Sequence, residues 1–500
     1  MAVSVVSLII MREHITRRRA LKSLGVAGAA ALAGCSDGDG TPTGGDGDDG
    51  GADTSADGGG DGTDGDAATD DSGMNGTATG TASSVSGEVT IGVLQPMSGN
   101  LSYYGQQGLW GFLSGLAYKA GADPAGTVGT GETTVTVGDV DYRLLVRDTE
   151  FAADPAQLAA TSLVRDDGVD MLFGCSSSSA AERVIGQVVS QAQVPFVAGP
   201  AASAAITSSG DYCSDLVFRA SENTAMDARS GGRYVANETD VSRVFLFGAD
   251  YSFGRAVVNN YESVLQDNGV EIVGKRFVEQ GYAEWDGLLD NAEEAGAEGI
   301  VGGFTVTTLP NLFSSFLSGD YSYRAFGGFA TQITNQVVGN TMESVLGSPL
   351  TAEKIEDSQL GPFTTRYHWN QYDNEINDAF VDSYTNTYEV VPDLFTSGTF
   401  TAASAIHQAV QTSGSTEGAD IAGAMKGMTV ADTPKGADGY TFQEYNNQAR
   451  SEMTVASPVP TSDEYADTWG ASIMPGEPQA RISGENATIP ADSPDMNCSL

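Results

Sequence analysis

From residue 88 onward the chain alternates short apolar runs with stretches of helical periodicity. The run 88–94 (EVTIGVL) alternates and then turns wholly apolar, which predicts a strand. QPMSG punctuates it as a turn. Residues 105–120 then put Leu109, Phe112, Leu113 and Leu116 on one helical face. The rhythm repeats with a strand at 141–148 (DYRLLVRD) and a helix ending at Asp166. Asp154 opens that helix as N-cap, with Pro155 at its first position. A strand at 169–173 (VDMLF), a helix at 180–191 and a strand at 194–197 follow.

A second series begins near Arg219. It reads helix 224–237, strand 244–247, helix 254–268, strand 271–278, helix 285–294, strand 299–302, helix 309–316 and strand 323–326. Strands alternating with helices predict parallel sheets. Two such series in the 413 residues from Glu88 predict an α/β fold of two Rossmann-like lobes. After about Gly361 the chain is expected to return to the first lobe, with a helix at 401–412. From Thr433 (TPKGADGYTF) it is expected to cross again. The expected division is 88–218 plus about 362–434 for lobe one and 219–361 plus about 435–460 for lobe two. The segment 461–500, rich in Pro and polar residues, reads as a loose wrap.

The first 87 residues have a different character. TRRRALK at 16–22 is followed by an apolar run at 24–32 and by LAGC ending at Cys35. A basic region, a short apolar core and a small-residue box make an export signal. That core is too short to span a bilayer as a helix. Cys after Leu-Ala-Gly is the lipobox pattern, which predicts cleavage before Cys35 and a lipid thioether on its sulfur. The Arg run resembles a twin-arginine motif, with Ala20 where Phe is usual, and implies export of a folded protein. MREHITRRRALK, from Met11, is a more usual opening than one with residues 1–10 in front. Residues 36–87 hold twelve Asp and no Lys or Arg among Gly, Ser, Thr and Ala. Such a segment buries too little to offset its ordering entropy. It is expected to act as a flexible tether with a mean reach of about 40 Å. Together these features predict a globule anchored by lipid on the outer face of the cell membrane.

Charge narrows the partners. The chain carries a formal −42, and after residue 87 there remain 53 acidic and 19 basic residues, a balance of −34. Such a field repels nucleic acid and acidic membranes. Adaptation to very high salt, where the Debye length falls to about 3 Å at 1 M, accounts for it without a cation-binding role. Besides Cys35 the cysteines are Cys175, Cys213 and Cys498, an odd number. Export permits a disulfide, and Cys213 with Cys498 is one pairing open to it. His14, His368 and His407 lie far apart, and no metal or cofactor motif is present.

Two strand ends carry candidate chemistry. Gly174-Cys175-Ser176-Ser177-Ser178-Ser179 joins the strand VDMLF to a helix, at the carboxyl edge where open α/β sheets bind ligands. Free N–H groups of the helix and the hydroxyls of Ser176, Ser177 and Ser178 would hold a carboxylate or carbonyl oxygen. Gly199-Pro200-Ala201-Ala202-Ser203 repeats the situation on the next strand, with small residues exposing backbone and Ser203 adding a hydroxyl.

These segments carry a resemblance. EVTIGVLQPMSGNLSYYGQQGLWG, DPAQ, VDMLFGCSSSSAA, VPFVAGPAASAAIT, VFRASENT and VFLFGADYSFGRA are similar to the leucine/isoleucine/valine-binding protein family, over about 88–458. Those are substrate-binding proteins of ABC importers, with amide- and urea-binding relatives. The resemblance implies two lobes joined by a three-segment hinge (the type I periplasmic-binding fold), closure on ligand and docking on permease subunits. It implies that Ser176 meets the ligand carboxylate, with Ala201 and Ser203 beside it and Tyr104 touching the ligand's side chain. Phe253 and Phe304 stand where the family often has Tyr. Phe329 falls about where an acid would hold an α-ammonium. A buried ammonium without such a partner is costly. Either Glu222 supplies the charge or the ligand has no ammonium. If Tyr251, Phe304 and Phe329 line the cleft, the ligand is apolar beyond its head group.

The expected function is therefore capture of a branched-chain amino acid, or a similar small carboxylate or amide, by a monomer that delivers it to an importer. A lipid-anchored sensor feeding a membrane partner is the alternative, since fold does not fix function. An enzyme is not expected: the serine run lacks G-x-S-x-G, and neither His368 nor His407 sits in a recognisable triad context.

Overall fold

The computed structural model describes residues 85–328 and 331–500. The export signal, Cys35, nearly all of the linker, and Phe329 lie outside the described residues. Strands β1 (Gly87–Gln95), β2 (Gly131–Val137), β3 (Val140–Asp148), β4 (Met171–Gly174), β5 (Phe196–Ala198) and β6 (Val217–Phe218) form the first sheet. Its order is β2-β3-β1-β4-β5-β6, parallel except for β2. The hairpin strand β2 lacks a long apolar run, and its alternating Thr and Val face a half-exposed edge.

Strand β1 is buried on both faces, as parallel strands flanked by helices are. Val89, Ile91 and Val93 pack with Leu109, Phe112, Leu113 and Leu116 of helix α1 (Ser102–Ala120). Leu94 faces the other way, onto Leu145, Leu163 and Leu172. Each such buried side chain contributes about 1.5–3 kcal/mol. Helix α1 also lies hard against the helix Thr396–Ser413. A Cβ on Gly111 would come within 2.2 Å of Thr399 Oγ1, and one on Gly115 within 2.4 Å of the Phe400 carbonyl oxygen. The helix expected to open at Asp154 runs from Ala153 to Arg165, with Asp154 in its first turn.

Strands β7 (Arg243–Ala249), β8 (Glu271–Val278), β9 (Gly299–Gly303), β10 (Arg324–Gly328) and β11 (Leu360–Thr365) are parallel and stand in the order β11-β10-β9-β7-β8. Met453–Ala456 pairs antiparallel with β11, and Ala480–Ile482 pairs antiparallel with Met453–Ala456, completing seven strands. The tail is thus not a loose wrap. Besides that edge strand it contributes Ile473–Pro475, paired with Pro458–Pro460.

Two boundaries move. The segment 360–365 belongs to the second sheet, so the second crossing follows Thr365 rather than Gly361. Tyr440–Phe442 pairs with Thr429–Val430 on one side and Ala449–Ser451 on the other as a small sheet on the first core, so the third crossing falls near Glu452 rather than Thr433. Tyr440 and Phe442 supply the apolar side chains that hold this sheet there. The far end of the tail returns to the first lobe, where Cys498 is bonded to Cys213 and the Asn497 N–H meets the Ser208 carbonyl at 2.8 Å. Cys175 is free and buried. No helix among the described residues is long and apolar enough to cross a membrane.

Candidate ligand-binding cleft

A cavity of about 180 Å³ opens between the carboxyl edges of the two sheets and runs into the second lobe. Aromatic residues line it from both lobes: Tyr104, Phe151 and Phe395 from the first, Tyr251, Phe253 and Phe304 from the second. Tyr104 sits in the first turn of α1. Its ring meets Phe395 edge-on at 5.3 Å, and its hydroxyl accepts the Val306 N–H at 3.1 Å, directly across the cleft. Phe304 packs edge-on to Trp285 at 5.2 Å, which fixes its ring in the wall.

The serine run divides into different roles. Ser176 is half-buried and faces the cavity. Its hydroxyl donates to Gln95 Oε1 at 2.7 Å, and Gln95 Nε2 donates to the Gly199 carbonyl at 3.0 Å. Gln95, wholly buried at the end of β1, thereby ties together the two strand ends identified in the sequence. Ser178 also lines the cavity, and its Oγ accepts the Ser203 N–H at 3.0 Å. Ser177 is buried and turned away from the cavity wall; its carbonyl accepts the Ala181 N–H.

Three expected contacts lie elsewhere. Ala201 is fully buried, and its neighbours Pro200 and Ala202 take its place in the wall. Ser203 is buried with its hydroxyl on Glu182 and its carbonyl on Arg219 Nη1 at 2.5 Å. Glu222 is 1% exposed in the hinge, where it accepts Lys435 Nζ at 2.7 Å, Ser451 Oγ at 2.9 Å and the Tyr440 hydroxyl. Burial pushes its carboxyl up, but the Lys435 ammonium and these donors outweigh that and hold it below its usual range. Glu222 is therefore committed to Lys435 and not to a ligand. The partner is distant in sequence, so nothing near FRAS signalled it.

Other residues were not singled out in the sequence. Asp227 and Arg366 form a bidentate pair on the cavity wall, Nε to Oδ1 at 3.0 Å and Nη2 to Oδ2 at 2.5 Å, both nearly buried. Arg219, buried among Gln448, Thr207 and the Ala201 and Ser203 carbonyls, is pulled down to about 9, by burial first and then by Arg366. Two carboxylates join the lobes. Glu182 accepts the Ser252 hydroxyl. Asp393 accepts the Gln332 N–H at 2.7 Å and the Tyr103 hydroxyl at 3.1 Å. Gln95 was legible in principle, since it ends β1, the direct neighbour of β4, the strand that carries the serine run. Among the described residues no cluster of His, Cys, Asp and Glu could hold a metal ion.

The family model described as periplasmic binding protein matches residues 88–463. The chain belongs to the periplasmic binding protein family. The Leu/Ile/Val-binding protein homolog 3 of Brucella melitensis is 22% identical over 218 residues, 43% of this chain. That stretch spans about half, 54%, of the curated relative's own length. A branched-chain amino acid ABC transporter protein from Rhodopseudomonas palustris has a TM-score of 0.60 at 22% identity, covering 80% of this chain and 98% of its own. A solute-binding protein from R. palustris in complex with benzoate has a TM-score of 0.60 at 17% identity, covering 83% and 100%. These structural likenesses establish that this periplasmic binding protein shares their fold.

Proposed function

We propose that this chain is the extracellular solute-binding lipoprotein of an ABC importer, and that its solute is a small carboxylate or amide with an apolar, branched or aromatic body. The observation that carries the reading is an interlobe cavity that sets Ser176 and Ser178 beside aromatic and aliphatic walls. Ligand sites commonly combine apolar walls with a few placed polar groups. The names of the relatives, which include branched-chain amino acid and benzoate binders, point the same way. Of the two solutions the sequence left open for a ligand ammonium, the geometry favours the second. Glu222 is used by Lys435, and both oxygens of Asp227 are used by Arg366. A solute without an ammonium fits such a site.

The mechanism is a shift between open and closed lobes, with no bond made or broken. A solute that touches Ser176 on one lobe and Phe304 on the other is fully held only when the lobes close, so it draws the equilibrium that way. The lipid on Cys35 and the linker would keep the globule near its permease. Titration calorimetry at molar salt with leucine, isobutyrate, isobutyramide, benzoate and benzamide tests the reading. Binding of at least one ammonium-free solute, weakened when Phe304→Ala is introduced, is expected. Tight leucine binding with none of the other four would overturn the ligand class, and silence from all five would overturn this use of the cleft. Export and anchoring are tested separately, since Cys35→Ser should release the protein from membranes.

A further inference from the structure

We propose that Gln95 sets the hydrogen-bonding polarity of the head-group site, so that it selects neutral primary amides over the corresponding carboxylates. This rests on the cleft being the solute site, as proposed above.

The Gly199 carbonyl can only accept. The group of Gln95 that faces it must therefore be the amide nitrogen, as the 3.0 Å bond requires. That choice turns Oε1 toward Ser176. Oε1 can only accept as well, so the single proton of the Ser176 hydroxyl points at Gln95 and away from the cavity. No donor within the chain reaches Ser176 Oγ among the described residues, so the oxygen offers its lone pairs to whatever occupies the cavity. Ser178 is the complement. Its Oγ already accepts the Ser203 N–H, and no acceptor among the described residues takes its own proton, which is left to donate. An acceptor and a donor on one cavity wall match an N–H and a C=O on one small group, which is a primary amide.

A carboxylate meets this wall badly. It has no proton for Ser176, so while one of its oxygens could accept from Ser178, the other would set its charge against the lone pairs of Ser176. Turning the Ser176 hydroxyl toward it would strip Gln95 Oε1, in a side chain with no exposed surface, of its donor. Flipping the Gln95 amide instead would set two acceptors face to face at Gly199. Leaving one buried polar group unpaired in this way costs roughly tenfold or more in affinity.

Titration calorimetry at molar salt with two matched pairs, benzamide against benzoate and isobutyramide against isobutyrate, reads the effect. The amide of at least one pair should bind roughly tenfold or more tightly than its acid. Ser176→Ala should bring that ratio close to one, and Gln95→Met, which frees the serine proton, should move it toward the acid. A merely structural role for Gln95 would weaken both members alike and leave the ratio where it was, which would overturn the proposal. So would an acid binding as tightly as its amide in the wild-type protein, and that result leaves the wider function standing. Silence from all four solutes would overturn the polarity and the ammonium-free reading together. If Gln95→Met does not fold, as its melting curve would reveal, Ser176→Ala decides alone: a ratio it leaves unchanged refutes the inference.

Discussion

Asp393 lies fully buried where the first lobe meets the second. One of its oxygens serves both the Gln332 N–H of the second lobe and the Tyr103 hydroxyl of the first. Burial raises its pKa from the usual 3.8 to about 6, and the Gln332 N–H, Tyr103 hydroxyl and Phe395 N–H only partly counter this. The folded carboxyl holds its proton more tightly than the unfolded one. Its contribution to stability is therefore complete below pH 3.8 and is lost as pH rises through about 6. The difference between 3.8 and about 6 amounts to about 3 kcal/mol, of which about 1.4 kcal/mol is regained between pH 8 and pH 5. Asp393→Asn removes the titration with little change of shape. Chemical denaturation of both proteins at pH 8 and pH 5, in the same salt, cancels the many other carboxylates. The advantage of the variant over wild type should shrink by about 1.4 kcal/mol on going from pH 8 to pH 5. A difference that stays constant, or widens on acidification, would refute the reasoning.

Other perturbations test other parts of the account. Lys435→Met leaves Glu222 charged and unpaired in the hinge, and should cost about 3–5 kcal/mol in denaturant titrations; adding Glu222→Gln should recover much of it. Gly111→Ala drives a methyl into Thr399 where α1 meets its neighbouring helix, and should lower stability by about 1–3 kcal/mol, read as a lower melting temperature. Reducing Cys213–Cys498, which are 285 residues apart, should cost about 2–5 kcal/mol and expose the last residues to carboxypeptidase; unchanged melting and digestion would argue that the tail is held by packing alone. Ser203→Ala should leave solute contacts intact, because that hydroxyl is turned to Glu182, and calorimetry would record the same head-group preference as wild type.

The alternation of apolar runs and helical faces was enough to place β1, β4, β7 and β9, because parallel strands buried on both sides are largely apolar, and also β3 and the edge strand β8, whose apolar runs are interrupted by charged residues. The serine-bearing strand ends were legible for the same reason, as each follows such a run. What stayed hidden depends on partners far apart in the chain. Glu222 looks like a free acid until Lys435 is folded against it, and Ser203 looks like a ligand contact until Glu182 claims its hydroxyl. Tyr440 and Phe442 lie in a Gly- and Asp-rich stretch, so local pattern did not assign them to the first core. The tail's edge strand, Ala480–Ile482, is three residues long and half-exposed, too short for periodicity to reveal. The resemblance pointed to Tyr104, Ser176, Phe253 and Phe304, and these lie on one cavity together with Tyr251. It gave no hint of Gln95.

The most direct measurement is a crystal structure of the protein with the solute that binds it most tightly in calorimetry. The account predicts density between the Ser176 hydroxyl and the rings of Tyr104 and Phe304, with the head group within hydrogen-bonding distance of Ser176 and Ser178. A solute bound outside this cavity, or one seated in it with Ser176 untouched, would contradict it.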